Sequence, residues 1–584
     1  MPTARANLEA SLQLLQTLCA QGLQDLVLCP GSRSAPLAHA AGLLAEANAV
    51  QLHTAIDERS AAFLALGMST AMGLPTAVVT TSGSAVANLL PAAVEADRSC
   101  QPLLLITADR PDRLKNCGAN QTVNQEAFLQ PVCRWFGSGP GAGLNLLASE
   151  RVEELAIRAW ESTFNAEGCA PGPVHLNLPF DEPLHASEED LQQLSSSLGL
   201  DGRPVPRRPA TTACDHVVPT LNANQPGVVV AGPWRGLASE RSAYQEAVRL
   251  WCTATGWPVL ADPLAQLPDD CPGCVDHWEL QIDHWSPPEP LQVLRLGPLP
   301  ASRRLERWLQ STESRQVLVS EREPRSLDPL GRAQQFSGGM VQWLAHQSPL
   351  PTSLPGSAVM ATDGLCREGL SPWLDQQLPL VGPVTEPALA RGLATLLPSG
   401  LPLMLAASSP VRDWLAWSGS FPGSTVGTRP CFSFRGASGL DGTLSLAMGL
   451  ALKKGPLVLV CGDLALLHDS NGWLHAAGQR PPLLVVLIDN AGGGIFQQLT
   501  IPVDPPERFA RLFAMPQAVD PLALAAAHGI PGRQISCLED LDSALAWGLH
   551  HNGPALLRVC TNARSDAALR QRLRAAAQNE TLLE

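Results

Sequence analysis

Lysine is almost missing from this 584-residue chain. It stands only at positions 115, 453 and 454, and arginine supplies the rest of the 40 basic side chains. Tyrosine occurs once, at 244. Acidic residues outnumber basic ones, giving a formal net charge of −14. Such a balance excludes an extended basic surface and argues against a nucleic-acid partner. No apolar run reaches the roughly 18 residues needed to span a bilayer. The opening "MPTARANLEASLQLLQTLCAQGLQ" reads as an amphipathic helix, not a signal peptide. A reducing, cytoplasmic setting is therefore expected, with the 15 cysteines as free thiols. The CxxC pair Cys271 and Cys274 has His277 nearby but no second pair to complete a zinc site, and reads as an ordinary loop. A GxGxxG fingerprint is also lacking: "CPGSRSAP" and "AGPWRG" have the wrong spacing, which argues against a dinucleotide oxidoreductase.

What the chain does have is short apolar runs ending in Gly, Asp or Ser, alternating with helical patterns. The first third carries "DLVLCPGSRS", "TAVVTTSGSA" and "PLLLITADRP"; the middle "GVVVAG", "WPVLADP", "VLRLG" and "QVLVSE"; the last third "PLVLVCGD", "PLLVVLIDN" and "ALLRVC". Alternation of this kind predicts βαβ units and parallel sheets. Two polar, Pro-rich stretches, 186–213 and 347–357, resist helix and strand alike and read as linkers. The expected fold is α/β, with three doubly wound parallel-sheet domains: 1–185, 214–346 and 358–584. Ligands in such sheets bind beyond the carboxyl ends of the strands.

The stretch 458–496, "VLVCGDLALLHDSNGWLHAAGQRPPLLVVLIDNAGGGIF", puts Asp463 at the end of one strand and Asn490 at the end of the next. In adjacent parallel strands both would leave the same sheet edge. A carboxylate and an amide carbonyl are hard oxygen ligands suited to Mg²⁺. Glycines 492–494 would let the backbone approach, and a carbonyl there, at Gly492, could add a third oxygen. Mg²⁺ fills its remaining positions with phosphate oxygens and water, so the stretch reads as a Mg²⁺-diphosphate clamp. Asp and Asn at strand ends also serve as helix caps in many α/β proteins, and taken alone the stretch leaves both readings open.

Seven ordered motifs carry a closer resemblance: "LCPGSRSAPL" (28–37), "DERSAAFLALG" (57–67), "TSGSAVANLLPAAVEA" (81–96), "LITADRP" (105–111), "GANQ" (118–121), "RGASGLDG" (435–442) and "GDL" (462–464). Together with Asn490 they resemble the thiamine-diphosphate (ThDP) enzymes of the 2-succinyl-5-enolpyruvyl-6-hydroxy-3-cyclohexene-1-carboxylate synthase family, of menaquinone and phylloquinone biosynthesis. Leu464 and Asp489 depart from the GDG and NN of the wider ThDP superfamily, but GDL is also the family's own form.

The resemblance implies ThDP and Mg²⁺ (or Mn²⁺) as cofactors. It implies decarboxylation of 2-oxoglutarate and 1,4-addition of the succinyl carbanion equivalent to isochorismate, with release of CO₂. Glu58 matches the activating carboxyl, with Asp57 beside it as a cap or solvent-facing residue. Ser82, Gly83, Leu440, Gly462, Asp463, Leu464, Asn490, Gly492, Ile495 and Phe496 match cofactor-binding positions, with Asp463, Asn490 and Gly492 on the metal. Ser32, Arg33, Arg110, Asn120, Gln121, Arg304, Ser408, Arg412 and Arg435 match substrate contacts. Arg303 and Arg307 compete with Arg304 for its place, and Ala407 stands where the family more often has Asn. Each substrate carries two carboxylates, which arginine recognises through charge-assisted, bidentate bonds. The resemblance further implies a homodimer or homotetramer with active sites at the subunit interface. Another ThDP-dependent 2-oxoacid decarboxylase or carboligase would keep Glu58 and Asp463 without needing several arginines for two dianions. A catalytically dead scaffold would be expected to have lost Glu58, Asp463 or Asn490.

Overall fold

A computed structural model describes residues 3–164, 170–198, 217–347, 349–351, 365, 369–424, 427–475, 480–499, 501 and 505–578. They form two compact units: Met1–Thr212 with Arg435–Lys453, and Ala213–Phe434 with Lys454–Glu584.

The first unit is built on a six-stranded sheet. Its strands are β1 (Asp25–Leu28), β2 (Gln51–Thr54), β3 (Thr76–Thr80), β4 (Leu103–Asp109), β5 (Trp135–Ser138) and β6 (Pro173–Pro179). They run in the order β2-β1-β3-β4-β6-β5, and every pairing is parallel. Strands β3, β4 and β6 are buried along their whole length, as expected for a parallel sheet covered on both faces. Strand order reverses around β1, which opens a crevice at the carboxyl ends of β1 and β3. The helix Glu58–Met72 starts on an Asp57 cap that accepts the amides of Arg59 and Ser60, and ends on Gly73 in the left-handed conformation. Asp57 is thus the cap expected of it. The helix Thr443–Lys454 packs on this unit so closely that the carbonyls of Leu64 and Leu446 abut Gly449 and Gly67.

The second unit holds two further parallel sheets. One comprises β7 (Gly227–Ala231), β8 (Val259–Ala261), β9 (Leu291–Leu296), β10 (Ser314–Val319) and β11 (Ala333–Phe336), in the order β11-β10-β9-β7-β8. The other comprises β12 (Leu403–Leu405), β13 (Cys431–Phe432), β14 (Leu457–Gly462), β15 (Leu483–Asp489), β16 (Gly532–Ile535) and β17 (Ala555–Cys560), in the order β13-β12-β14-β15-β17-β16. Order reverses here around β12. Val458, Val460, Leu484, Val486, Leu557 and Val559 point into one fully buried core, each contributing about 1.5–3 kcal/mol of transfer free energy. Cys252, Cys271 and the half-buried Cys274 belong to the core on one face of the β7–β11 sheet.

Part of the first expected linker is ordered. Residues Glu188–Ser197 form a helix, because Ser187 and Asp190 make a reciprocal capping box and three acids occupy the first turn. Residues 199–213, and 347–357 except 347 and 349–351, lie outside the described residues. No described helix is long and apolar enough to cross a membrane.

Candidate active site

Strands β14 and β15 pair in parallel with Gly462 opposite Ile488, so the residues that follow them emerge at one sheet edge. Asp463 opens the helix Asp463–His468 and is buried. Its Oδ1 accepts the Leu464 amide at 2.7 Å and its Oδ2 the Gly492 amide at 2.7 Å. Burial pushes the Asp463 carboxyl up to about 6; the two amides oppose that shift and nearby Asp489 adds to it. Asn490 donates its Nδ2 to Glu386 Oε1 at 2.7 Å. Its Oδ1 is buried and has no hydrogen-bond partner. Asp489 is held by Arg558 at 2.6 Å, with its carboxyl still within hydrogen-bonding reach of Asp463.

The glycines of 492–494 have specific steric reasons. Gly492 has φ +113°, and a β-carbon there would overlap the Ala514 carbonyl. A β-carbon on Gly494 would strike the Asn490 amide. The Gly492 carbonyl accepts the Gly494 amide at 2.7 Å, which leaves one of its lone pairs. Ile495 and Phe496 sit half-buried on the short helix Gly494–Gln498, with Phe496 5.8 Å from the Phe513 ring.

A hard divalent cation fits this arrangement. It would satisfy the orphaned Asn490 oxygen and offset the buried Asp463 charge. No three His, Cys, Asp or Glu side chains converge on a metal position among the described residues. The ligand set here is therefore mixed and incomplete, the pattern Mg²⁺ shows when phosphate oxygens supply the rest. Beyond β12, Ser408 precedes the helix Ser409–Trp417. Arg412 folds back to donate to the carbonyls of Ala407 and Ser408 at 2.9 and 2.6 Å.

In the first unit the loops after β1, β3 and β4 meet, as a β-carbon on Gly31 would overlap Thr81. Ser32 lies in the exposed part of the loop after β1. Arg33 is buried and donates to the Phe180 carbonyl at 2.9 Å and to the exposed Glu182 carboxylate at 3.1 Å; its Nε has no partner. Arg110, also buried, donates to the Ser82 hydroxyl and to the Gln121 carbonyl. Burial, followed by the charge of Arg33, lowers the Arg110 pKa. The two buried guanidiniums, with Asp109 and Glu182 as counter-charges, carry donors chemically suited to carboxylates. Gly83, at φ +89°, donates its amide to Gln125. Asn120 and Gln121 are exposed, and Gln121 has a positive φ of 54°. Glu58 is half-buried and accepts from Asn88 at 3.2 Å.

Arg435 and Leu440 belong to this unit too. The amides of Gly436, Ala437 and Ser438 converge on the buried Glu95 carboxylate at 2.8, 2.6 and 3.2 Å. Gly442, at φ +64°, packs directly against the Phe63 ring. Leu440 stands 43% exposed. Arg304 is engaged away from the other predicted residues: it binds Asp283 at 2.7 Å and the Glu279 carbonyl at 3.2 Å.

Sequence reasoning missed Glu95, Gln125 and Glu386. Glu95 had a usable signal, a lone acid in the apolar run of a short Ala-rich helix. Gln125 bonds Gly83, Ala108 and Asn177 across the sheet, and no spacing announces that.

Comparison with known proteins matches three family models: the N-terminal ThDP (thiamine pyrophosphate) binding domain of thiamine pyrophosphate enzymes over 9–128, their middle domain over 214–403, and their C-terminal binding domain over 422–559. The 2-succinyl-5-enolpyruvyl-6-hydroxy-3-cyclohexene-1-carboxylate synthase of Synechococcus sp. (strain CC9902) is 60% identical over 97% of this chain and 99% of its own. The protein of that name from Prochlorococcus marinus (strain MIT 9313) is 57% identical over 95% and 97%. The chain belongs to the 2-succinyl-5-enolpyruvyl-6-hydroxy-3-cyclohexene-1-carboxylate synthase family. The synthase family is thereby joined to a known fold: a benzoylformate decarboxylase structure from Polynucleobacter necessarius superposes with a TM-score of 0.66 over 96% of this chain and 99% of that one, at 17% identity.

Proposed function

We infer that this chain is a ThDP- and Mg²⁺-dependent carboligase of its family's type. It decarboxylates 2-oxoglutarate and adds the resulting succinyl carbanion equivalent, in a 1,4 sense, to isochorismate. The products are 2-succinyl-5-enolpyruvyl-6-hydroxy-3-cyclohexene-1-carboxylate and CO₂. The observation that carries the cofactor half of this reading is the unpartnered Asn490 oxygen beside the buried Asp463 carboxyl.

Bound ThDP supplies a nucleophilic carbon and an electron sink for decarboxylation. The chain's residues do the rest. Asp463, Asn490 and the Gly492 carbonyl would hold Mg²⁺, whose charge would favour the diphosphate; Gly462 and Leu464 shape the turn that presents Asp463. Glu58 holds a proton at the pyrimidine ring nitrogen. Ser82 and Gly83 line the pyrimidine side. Leu440 on the first unit, and Ile495 with Phe496 on the second, would each offer the cofactor an apolar surface that excludes water. Arg33 and Arg110, with Ser32, Asn120 and Gln121, bind substrate carboxylates; Arg412, Arg435 and Ser408 bind a second set, and Arg304 would join by releasing Asp283. The family reading carries with it a cytoplasmic homodimer or homotetramer whose sites combine halves from different subunits; Glu58 and Asp463 lie in different compact units.

Mass spectrometry of products tests this directly. Purified protein with ThDP, Mg²⁺ and 2-oxoglutarate should give a succinyl adduct only when isochorismate is added, and Glu58→Gln should abolish it. CO₂ and succinic semialdehyde without an adduct would leave a ThDP-dependent decarboxylase and sink the synthase reading.

A further inference from the structure

Behind Asn490 lies a chain of charges that the proposed reaction does not use. Glu386, the first residue of the helix Glu386–Leu396, is 3% exposed. Its Oε1 accepts the Asn490 amide at 2.7 Å and its Oε2 accepts Arg570 Nη2 at 2.5 Å. Arg570, 2% exposed, also grips both oxygens of the buried Asp413, at 2.7 and 2.5 Å. Asp413 in turn accepts the Trp417 indole at 3.2 Å. The Glu386 backbone amide donates to Asp566 at 3.3 Å.

A side-chain amide can present either its oxygen or its nitrogen to a given neighbour. Glu386 removes that freedom, because a carboxylate bound to Arg570 is an acceptor only. The Asn490 nitrogen must face it, so the oxygen must face the other way. Partners outside the ligand shell commonly orient a ligand and alter metal affinity by 10–100-fold.

We propose that Glu386, clamped by Arg570 and Asp413, is a positioning residue that fixes the Asn490 carbonyl oxygen as a divalent-cation ligand. This rests on Asn490 being such a ligand. The test is Mn²⁺ binding to the full-length protein with ThDP, followed by electron paramagnetic resonance, with circular dichroism and thermal melting of the cofactor-free protein as the folding control. Glu386→Gln should weaken Mn²⁺ binding about 10–100-fold, with kcat at saturating metal close to that of the unaltered protein. Asn490→Asp should also weaken binding, because two carboxylates then face each other. Combining the two substitutions restores a donor against an acceptor with reversed polarity, and should recover most of the affinity that Asn490→Asp loses.

Unchanged Mn²⁺ affinity in a folded Glu386→Gln protein would overturn the proposal. So would a double variant no better than Asn490→Asp alone, a comparison that decides the matter even where Glu386→Gln does not fold by itself. Asp463→Ala and Asn490→Ala separate the two levels. If both keep normal Mn²⁺ affinity, the metal site itself is misassigned. If both lose it while Glu386→Gln does not, only the positioning role fails.

Discussion

The Gly492 amide lies 2.7 Å from the Asp463 carboxylate, joining the turns that follow two neighbouring strands of one sheet. The bond needs a backbone conformation, φ +113°, that only glycine adopts without strain, and it places the Gly492 α-carbon against the Ala514 carbonyl. Gly492→Ala should therefore cost about 2 kcal/mol or more in stability and weaken Mg²⁺-dependent ThDP binding. Denaturation and cofactor titration check the two effects separately.

Metal removal should be decisive and reversible. Chelation should abolish turnover, and Mg²⁺ or Mn²⁺ should restore it. Asp463→Asn should raise the metal concentration needed for half-activity by about 100-fold or more, since it removes the one charged ligand of the three proposed. Activity that survives exhaustive chelation would contradict the assignment.

Glu95 supports the loop bearing Arg435 and Leu440 through three backbone amides. A charge-assisted bond contributes about 1.5–3 kcal/mol, and the three share one carboxylate. Glu95→Ala should destabilise the first unit by about 3 kcal/mol and lower kcat/KM by more than its effect on fold alone, because the loop is freed. Glu95→Gln should show a smaller loss of the same kind. Chemical denaturation with steady-state kinetics measures both.

Arg33→Lys and Arg110→Lys keep the charge but lose the planar fork. Each should reduce kcat/KM for a dicarboxylate substrate by about 10–100-fold, corresponding to one or two charge-assisted bonds, while ThDP binding stays unchanged. Equal loss of ThDP affinity would move these arginines from the substrate to the cofactor.

Acid sensitivity should have an identifiable source. His175, fully buried on β6 and bonded to Thr107 at 2.8 Å, has its pKa lowered by burial from 6.5 to about 3. The unfolded chain binds this proton first, so the stabilisation is present above about pH 6.5 and is lost as pH falls toward 3. Between pH 7 and pH 5 the loss is about 2 kcal/mol. The urea midpoint of the first unit should fall accordingly, and His175→Gln should flatten that dependence.

The legible part of the fold was the part with uninterrupted apolar strands. β3, β4, β7, β14 and β15 are buried on both faces, so each carries a continuous apolar run of three residues or more. β6, "PVHLNLP", was not legible, because its His and Asn are satisfied by Thr107 and Gln125 on other elements. Short edge strands such as β11, β13 and β16 leave too few residues for any pattern. In the candidate site, the placement of Asp463 and Asn490 at the ends of adjacent strands was readable from position, but position alone did not separate metal ligand from helix cap. Glu386, Asp413 and Arg570 were not readable, since Arg570 reaches Asp413 and Glu386 from 157 and 184 positions away and none has a local motif.

The first unit is not one continuous piece of chain. Its packing includes Arg435–Lys453, a segment flanked on both sides by residues of the second unit, and that segment fills the surface beside Phe63, Leu64 and Gly67. A gene fragment ending near residue 212 would thus encode a body with an open apolar trough and no strap to close it. Such a fragment could not be exchanged between proteins as a self-sufficient cassette. The two units are bound to be inherited together, because part of the first unit's architecture is written inside the second unit's stretch of the gene.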